Sequence, residues 1–468
     1  MVSFLPRQIS MRAIIVYLLS LALVSLVFPA YAMKIGFVIM GFVWVIGFFL
    51  TVESSTTTWR NRPEKHFVQH LFIVSLALRL VWVVFSYFYY VELTGAPFEF
   101  DAADSVAYHQ DAEWLAGQNW ATITRYLFND RRMVSDSGYL IILTVLYKIF
   151  GGAFIIPVRI IKALLSSATC VLVYKLASRM FDNRVARMAG LMMAFMPNLI
   201  IYCGFHLKET EMLFLEVACL ERVDYLFRRK DFRFWNLLIP TLLALSLFLF
   251  RTVLGAATIF AFATGALLSR APNLKKNMRR LAIVGWGILS LIVASGGTIA
   301  TEVEGYWEDR EENITNKRLQ QTIRGNRWAK YATGAVMAPM IVVLPFATMV
   351  DVDEQYGQQE KSGGNFIRNF MGFFAILAIY EALRQKKWRD FIVIGAFVVA
   401  YLGVIAMSGY SNSERFLLPA LPGIICMWAY GLSELRKKTY HLLTPWCILV
   451  FLMEFGWAFF KLGSRGLF

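Results

Sequence analysis

Residues 101–117, DAADSVAYHQDAEWLAG, place three aspartates, a glutamate, a histidine and a tyrosine in one compact polar segment. The segment follows the apolar run 71–91. On a helix at 100° per residue, Asp101, Asp104, Tyr108 and Asp111 fall within about 80° of arc. Three carboxylates and a phenol then share one face. A carboxylate so placed can take a proton from an acceptor hydroxyl as a general base. It can also hold a divalent cation (Mg or Mn), which prefers hard oxygen ligands. The competing reading is a solvated acidic face on an outer loop.

The elements that carry this segment are membrane helices. The chain has 468 residues, of which 58% are hydrophobic and 39 are phenylalanine, and its mean hydropathy is +0.54. A soluble protein would expose far too much apolar surface. Many apolar runs approach the roughly 20 residues a helix needs to cross a bilayer, and they are continuous rather than alternating, which excludes a barrel. The net charge of +15 does not indicate nucleic acid, because the basic residues cluster in short loops between apolar runs. The five cysteines, Cys170, Cys203, Cys219, Cys426 and Cys447, lie in or beside apolar runs and form no CxxC pair. They read as small core residues rather than a zinc site or a disulfide framework.

The expected fold is an all-α, polytopic transmembrane bundle of about thirteen spans, near 12–31, 33–51, 69–91, 155–178, 184–205, 209–228, 234–250, 253–270, 281–300, 366–384, 390–407, 416–434 and 442–460. The stretch ending near Ala30, Tyr31 and Ala32 resembles a signal-peptide cleavage site. A second apolar run comes at once, so we read 12–51 as an uncleaved hairpin. WRNRPEKH (59–66), YKLASRMFDNRVAR (174–187), RRKDFR (228–233), SRAPNLKKNMRR (269–280), RQKKWRD (384–390) and ELRKK (434–438) are then cytoplasmic. An even number of spans separates each from the next. The loop 92–154, HLKE (206–209), the segment 301–365 and GYSNSER (409–415) fall on the opposite face. Residues 335–350 read as an interfacial or re-entrant helix, since a full span would invert RQKKWRD. The segments 112–128 and 137–152 read as juxtamembrane helices, the second N-capped by Ser137 and ended by a glycine pair. Four parts result: 1–68 with the extra hairpin, a catalytic module at 69–300, the outer segment 301–365 and the C-terminal spans 366–468.

Several pieces together resemble one family. Asp104 and Tyr108, followed by Ala112, Leu115 and Gly117, look like the first outer loop of GT-C glycosyltransferases, membrane enzymes that use lipid-linked sugar donors. Downstream, GYLIILTVLYKIFGG, Arg159 and VLVYKLASRMFDNRVARMAGLMMAFMPNLIIY resemble the next family segment. SERFLLPALPGIICMWAYGL resembles the family's Arg-aromatic-x-x-Pro-x-x-Pro element at the outer end of a late helix. The likeness covers roughly 70–230 and 405–435. Two departures stand out: the extra hairpin, and Ser105 where many relatives carry a second acidic residue.

The resemblance implies an inverting transferase that moves a sugar from a polyprenyl-phosphate carrier to a glycan, lipid or protein acceptor. The reaction would occur on the outer face of a bacterial inner membrane. Asp104, supported by Asp101, is the candidate catalytic base, and Tyr108, Asp111, His206 and Glu209 are candidate substrate contacts. Arg415, Arg159, Lys208 and Arg251 each stand at the outer end of a span and are candidate cations for the lipid phosphate; the bland reading of each is snorkelling. Glu209 could also complete a metal site with Asp101. Glu216, near the middle of 209–228, faces the bundle interior. The sequon at Asn313 reads as chance. Two rivals are a lipid-linked oligosaccharide transporter, which would spread charges through the membrane and show internal symmetry, and a polymerase or ligase using a diphosphate-linked glycan. Arg310, Arg318, Arg324 and Arg327 fit the latter.

Overall fold

The computed structural model describes residues 5–128, 134–229, 234–268, 340–352, 355–407, 413–463 and 465–467. The described residues form an all-α bundle, α1 to α19 in chain order. The hairpin is α1 (Arg7–Val27) and α2 (Ile35–Thr58). It packs on later helices rather than standing apart. Next come α3 (Glu64–Thr94), α4 (Ala103–Ala116), α5 (Trp120–Phe128), α6 (Val134–Phe150) and α7 (Ile155–Met180). Then come α8 (Asn183–Phe195), α9 (Pro197–Ile201), α10 (Glu209–Arg229), α11 (Phe234–Phe248) and α12 (Thr252–Leu268). The C-terminal part holds α13 (Tyr356–Glu360), α14 (Ser362–Arg384), α15 (Ile392–Met407), α16 (Glu414–Leu417), α17 (Leu421–Ser433), α18 (Lys437–Tyr440) and α19 (Leu443–Gly463).

Among the described residues, eight helical stretches are long and apolar enough to cross a membrane, and the bent pair across Met196 makes a ninth. This is an integral membrane protein. The expected count of about thirteen needs three qualifications. Helices α11 and α12 are apolar but short. The expected span 281–300 lies outside the described residues, as do Asn313 and Arg310, Arg318, Arg324 and Arg327. Helix α10 carries Glu209, Glu211, Glu216, Glu221 and Asp224, all buried, and is too charged to face lipid. It is enclosed by α7, α11 and α12. There Lys162 meets Glu211 at 3.1 Å, and Arg179 meets Glu221 at 2.8 Å and Asp224 at 3.1 Å. Glu216 is fully buried, as its mid-helix position indicated.

Among the described residues, those of the basic loops gather at one end of the bundle. Arg187 donates to the carbonyls of Trp59 and Arg60, both at 2.8 Å, and of Arg62 at 2.7 Å. Arg228 donates to the Asp390 carbonyl, and Gln385 to Glu434 at 2.8 Å. Of the expected interfacial or re-entrant helix at 335–350, residues 335–339 lie outside the described residues, and the segment 340–352 corrects the expectation of a helix. Its backbone is irregular to extended and is mostly buried, and Val350 bridges to Ala32. The Asn369 amide donates to the carbonyls of Val343 at 2.6 Å and Pro345 at 2.9 Å. Such non-helical backbone is tolerated at membrane depth only where protein satisfies it.

Local chemistry sets the frame of the site. Gly95, at φ 76°, ends α3 in the left-handed conformation that favours glycine. Lys148 of α6 donates to the carbonyls of Ala116 at 2.8 Å and Gln118 at 2.7 Å, closing the C-terminal end of α4. Helix α6 starts at Val134, so Ser137 is not its N-cap and Asp136 sits in its first turn, where the helix dipole favours an acid. Gly151, at φ 70°, lies just past its end. Gly138 lets α6 approach the 249–250 turn: its N–H donates to the Leu249 carbonyl at 2.8 Å, and a Cβ there would lie 2.8 Å from the Phe250 ring.

Candidate active site

The 101–117 segment begins its helix two residues later than a wheel drawn from Asp101 requires. Asp101 precedes α4 at φ 57°, a region that aspartate tolerates, and is exposed. Asp104, Tyr108 and Asp111 remain on one face of α4, with Asp104 in the first turn. Their surroundings differ sharply. Asp104 has its side chain 59% exposed, Asp111 is half-buried and Tyr108 is buried.

Arg415 of α16 joins this face to the bundle. Its Nη1 donates to Asp104 Oδ2 and its Nε to Glu209 Oε1. The Glu209 side chain is fully buried and also lies 3.6 Å from Arg251 Nη2. Arg251 donates to the Tyr401 hydroxyl at 3.0 Å, stacks on Phe416 with its guanidinium 4.4 Å from the ring centroid, and Tyr401 in turn donates to the Phe416 carbonyl at 2.9 Å. Two arginines and two carboxylates thus meet where α4, α10 and α16 converge.

A second ion pair lies on the other side of Tyr108. Lys208 donates to Asp136 Oδ1, to the Phe250 carbonyl at 2.7 Å and to the Ser135 carbonyl at 3.2 Å. Tyr108 donates to the same Asp136 oxygen at 2.9 Å. Burial alone would raise the Asp136 carboxyl, but the Lys208 charge, the hydrogen bonds from Lys208 and Tyr108 and the field of Arg415 together outweigh it and hold the group below the usual range. Burial, then the Asp136 charge and hydrogen bond, pushes the Tyr108 phenol up and keeps it protonated.

His206 and Arg159 lie beneath this surface, both fully buried. The Tyr147 hydroxyl is 2.8 Å from His109 Nδ1 and 3.0 Å from His206 Nε2. Burial, with Arg159 and Lys162 nearby, holds His206 far below its ordinary pKa, so it is neutral. Arg159 donates through Nη2 to the Pro97 carbonyl and so ties α7 to the loop before α4. The predicted cations therefore divide. Arg415, Arg251 and Lys208 come together, and Arg159 is packed under the loop.

Several contributors were not singled out in the sequence. Asp136 sits in a polar stretch before an apolar run, and that position was its signal. Glu414, adjacent to Arg415, accepts from Asn198 at 2.5 Å and Tyr202 at 3.1 Å, and lies 3.5 Å from Lys361. These contacts anchor the turn that presents Arg415. Glu99 accepts a hydrogen bond from the Ser105 hydroxyl, so a carboxylate reaches Ser105 from the preceding loop. No spacing rule would have found that contact. Among the described residues no group of three or more His, Cys, Asp or Glu is placed to hold a metal ion. Glu209, a candidate metal partner of Asp101 by sequence, is turned to two guanidiniums instead.

No protein-family model matches the chain, and no curated protein does. Solved structures do. ArnT from Cupriavidus metallidurans, bound to undecaprenyl phosphate, aligns with a TM-score of 0.51 at 16% identity, over 82% of this chain and 63% of that one. The archaeal oligosaccharyltransferase AglB from Archaeoglobus fulgidus, in complex with an inhibitory peptide and a dolichol-phosphate, gives 0.44 at 12% identity, over 86% and 56%. The chain thus spans less than two thirds of the length of either. In fold the chain is similar to ArnT.

Proposed function

We propose that this protein is an inverting GT-C glycosyltransferase. It moves a sugar from a polyprenyl-phosphate carrier to a glycan, lipid or protein acceptor at the non-cytoplasmic face of a bacterial inner membrane. One observation carries the reading: Arg415 is bonded at once to the exposed Asp104 and the buried Glu209. A candidate base and a candidate phosphate-binding guanidinium are thereby held side by side at the membrane edge. ArnT, of similar fold, has been solved with undecaprenyl phosphate, which supports a lipid phosphate as leaving group.

In this mechanism Asp104 accepts the proton of the acceptor hydroxyl. The acceptor oxygen forms its bond to the anomeric carbon as the bond from that carbon to the phosphate oxygen breaks. The lipid phosphate leaves with its negative charge, which Arg415, Arg251 and Lys208 meet. Glu209, Tyr401 and Phe416 hold the two guanidiniums in place. Asp136 and Tyr108 do the same for Lys208. Asp101 and Asp111 border the acceptor side, while His206 and Arg159 support the loops from below.

Undecaprenyl phosphate binding in nanodiscs tests the proposal. The wild-type protein should bind it, and Arg415→Met should weaken binding at least tenfold. Equal affinity in the two proteins would remove the phosphate site from Arg415.

A further inference from the structure

Arg79 stands midway along α3, in an otherwise apolar span, and is fully buried. A charge at that depth is costly and is retained only with a compensating environment. None of its hydrogen-bond partners is a carboxylate. Nε donates to Ser166 Oγ at 2.7 Å, Nη1 to Ser75 Oγ at 2.5 Å and to the Ser75 carbonyl at 3.2 Å, and Nη2 contacts Cys170 Sγ at 3.5 Å. The remaining contacts go to the Ala194 carbonyl at 3.0 Å and the Met193 carbonyl at 3.3 Å.

Those two carbonyls belong to the last turn of α8. Pro197 has no N–H to give Met193, and the chain bends by 52° between the two halves of this broken span. The end of α8 therefore leaves orphan acceptors with partial negative charge. The planar guanidinium fork of a neighbouring helix supplies Met193 with the donor that the proline removed and gives Ala194 a donor as well. The dipole end in turn compensates the guanidinium charge.

The residues beyond the break lead directly into the site. Asn198 and Tyr202 hold Glu414, which neighbours Arg415, and Lys208 and Glu209 come after them. We infer that Arg79 is a positioning residue. By capping α8 from α3, it sets the direction in which 197–209 enters the site, and through Glu414 it sets the placement of Arg415. The inference rests on the proposed phosphate role of Arg415 only for its binding arm.

Hydrogen exchange of the full chain in nanodiscs tests the structural arm, and undecaprenyl phosphate binding the functional one. In Arg79→Met, exchange over 196–208 should rise at least tenfold, with 362–384 unchanged and phosphate-lipid affinity at least tenfold lower. Arg79→Lys, which keeps the charge but loses the fork, should fall between, and it serves if the methionine variant does not fold. Exchange that rises throughout the chain, or nowhere, overturns the inference, as does unchanged affinity in a wild type that binds. If the wild type does not bind undecaprenyl phosphate, the proposed function fails and the exchange result alone decides for Arg79.

Discussion

Replacing Asp104 with asparagine should separate chemistry from stability. The Asp104 side chain is 59% exposed, and Arg415 keeps its bond to Glu209 when Asp104 is neutralised. An ion pair with so exposed a partner contributes no more than about 1 kcal/mol, so the thermal unfolding midpoint should hardly move. A general base contributes roughly 10²- to 10⁴-fold in rate, or about 3–5 kcal/mol of barrier at 1.36 kcal/mol per tenfold. Neutralising Asp104 also releases one guanidinium nitrogen from a competing anion, so undecaprenyl phosphate should bind as tightly as before or more tightly. The assay starts from mass analysis of the lipids and glycans that change when the gene is deleted. Initial rates for the identified product then compare wild type and variant. Transfer within threefold of wild type by a folded Asp104→Asn protein would refute the base assignment. A large loss of stability would refute the exposure argument.

Other outcomes depend on buried geometry. A Cβ at Gly364 would lie 1.4 Å from Asn198 Oδ1, so Gly364→Ala must displace Asn198 from Glu414. It should cost about 1–3 kcal/mol, read as a lower unfolding midpoint together with weaker phosphate-lipid binding; an unchanged midpoint would show that the helices separate freely. Glu360, fully buried and hydrogen-bonded by Tyr90, has its carboxyl raised by burial from 4.5 to about 7. A raised acid favours the folded state most below its unfolded value, so its contribution is complete below about pH 4.5 and is lost as pH rises through about 7. The loss is on the order of 3 kcal/mol at 1.36 kcal/mol per pH unit. Glu360→Gln should flatten the fall in unfolding midpoint between pH 5 and pH 8, and an identical slope in both proteins would count against it.

Much of the site was legible because charge in an apolar chain is conspicuous. Asp104, Tyr108, Lys208, Glu209, Arg251 and Arg415 stand at span ends in the sequence, and the structure brings them together. Asp101 leaves the expected helix face because it precedes α4 in the left-handed conformation, which breaks the register. His206 and Arg159 read as site-facing because sequence spacing gives depth along a helix but not which neighbour covers it. The buried course of 340–352 was illegible for a similar reason. Its apolar residues match an interfacial or re-entrant helix, whereas in the structure its backbone groups meet the Asn369 amide and the Tyr31 carbonyl. Arg79 carried the same signal as the others, a lone charge in a span, but its partners are serines, a cysteine and carbonyls, which no charge pattern reveals.

Hydropathy and the alternation of basic loops determined that the chain is a membrane bundle and which loops share an end, because lipid forces the backbone into helices and a helix changes sides each time it crosses. Tertiary structure decided what each charge does. Whether a carboxylate stays solvated or becomes a buried clamp depends on the helices packed against it, and Asp104 and Glu209 take those two fates on the same guanidinium.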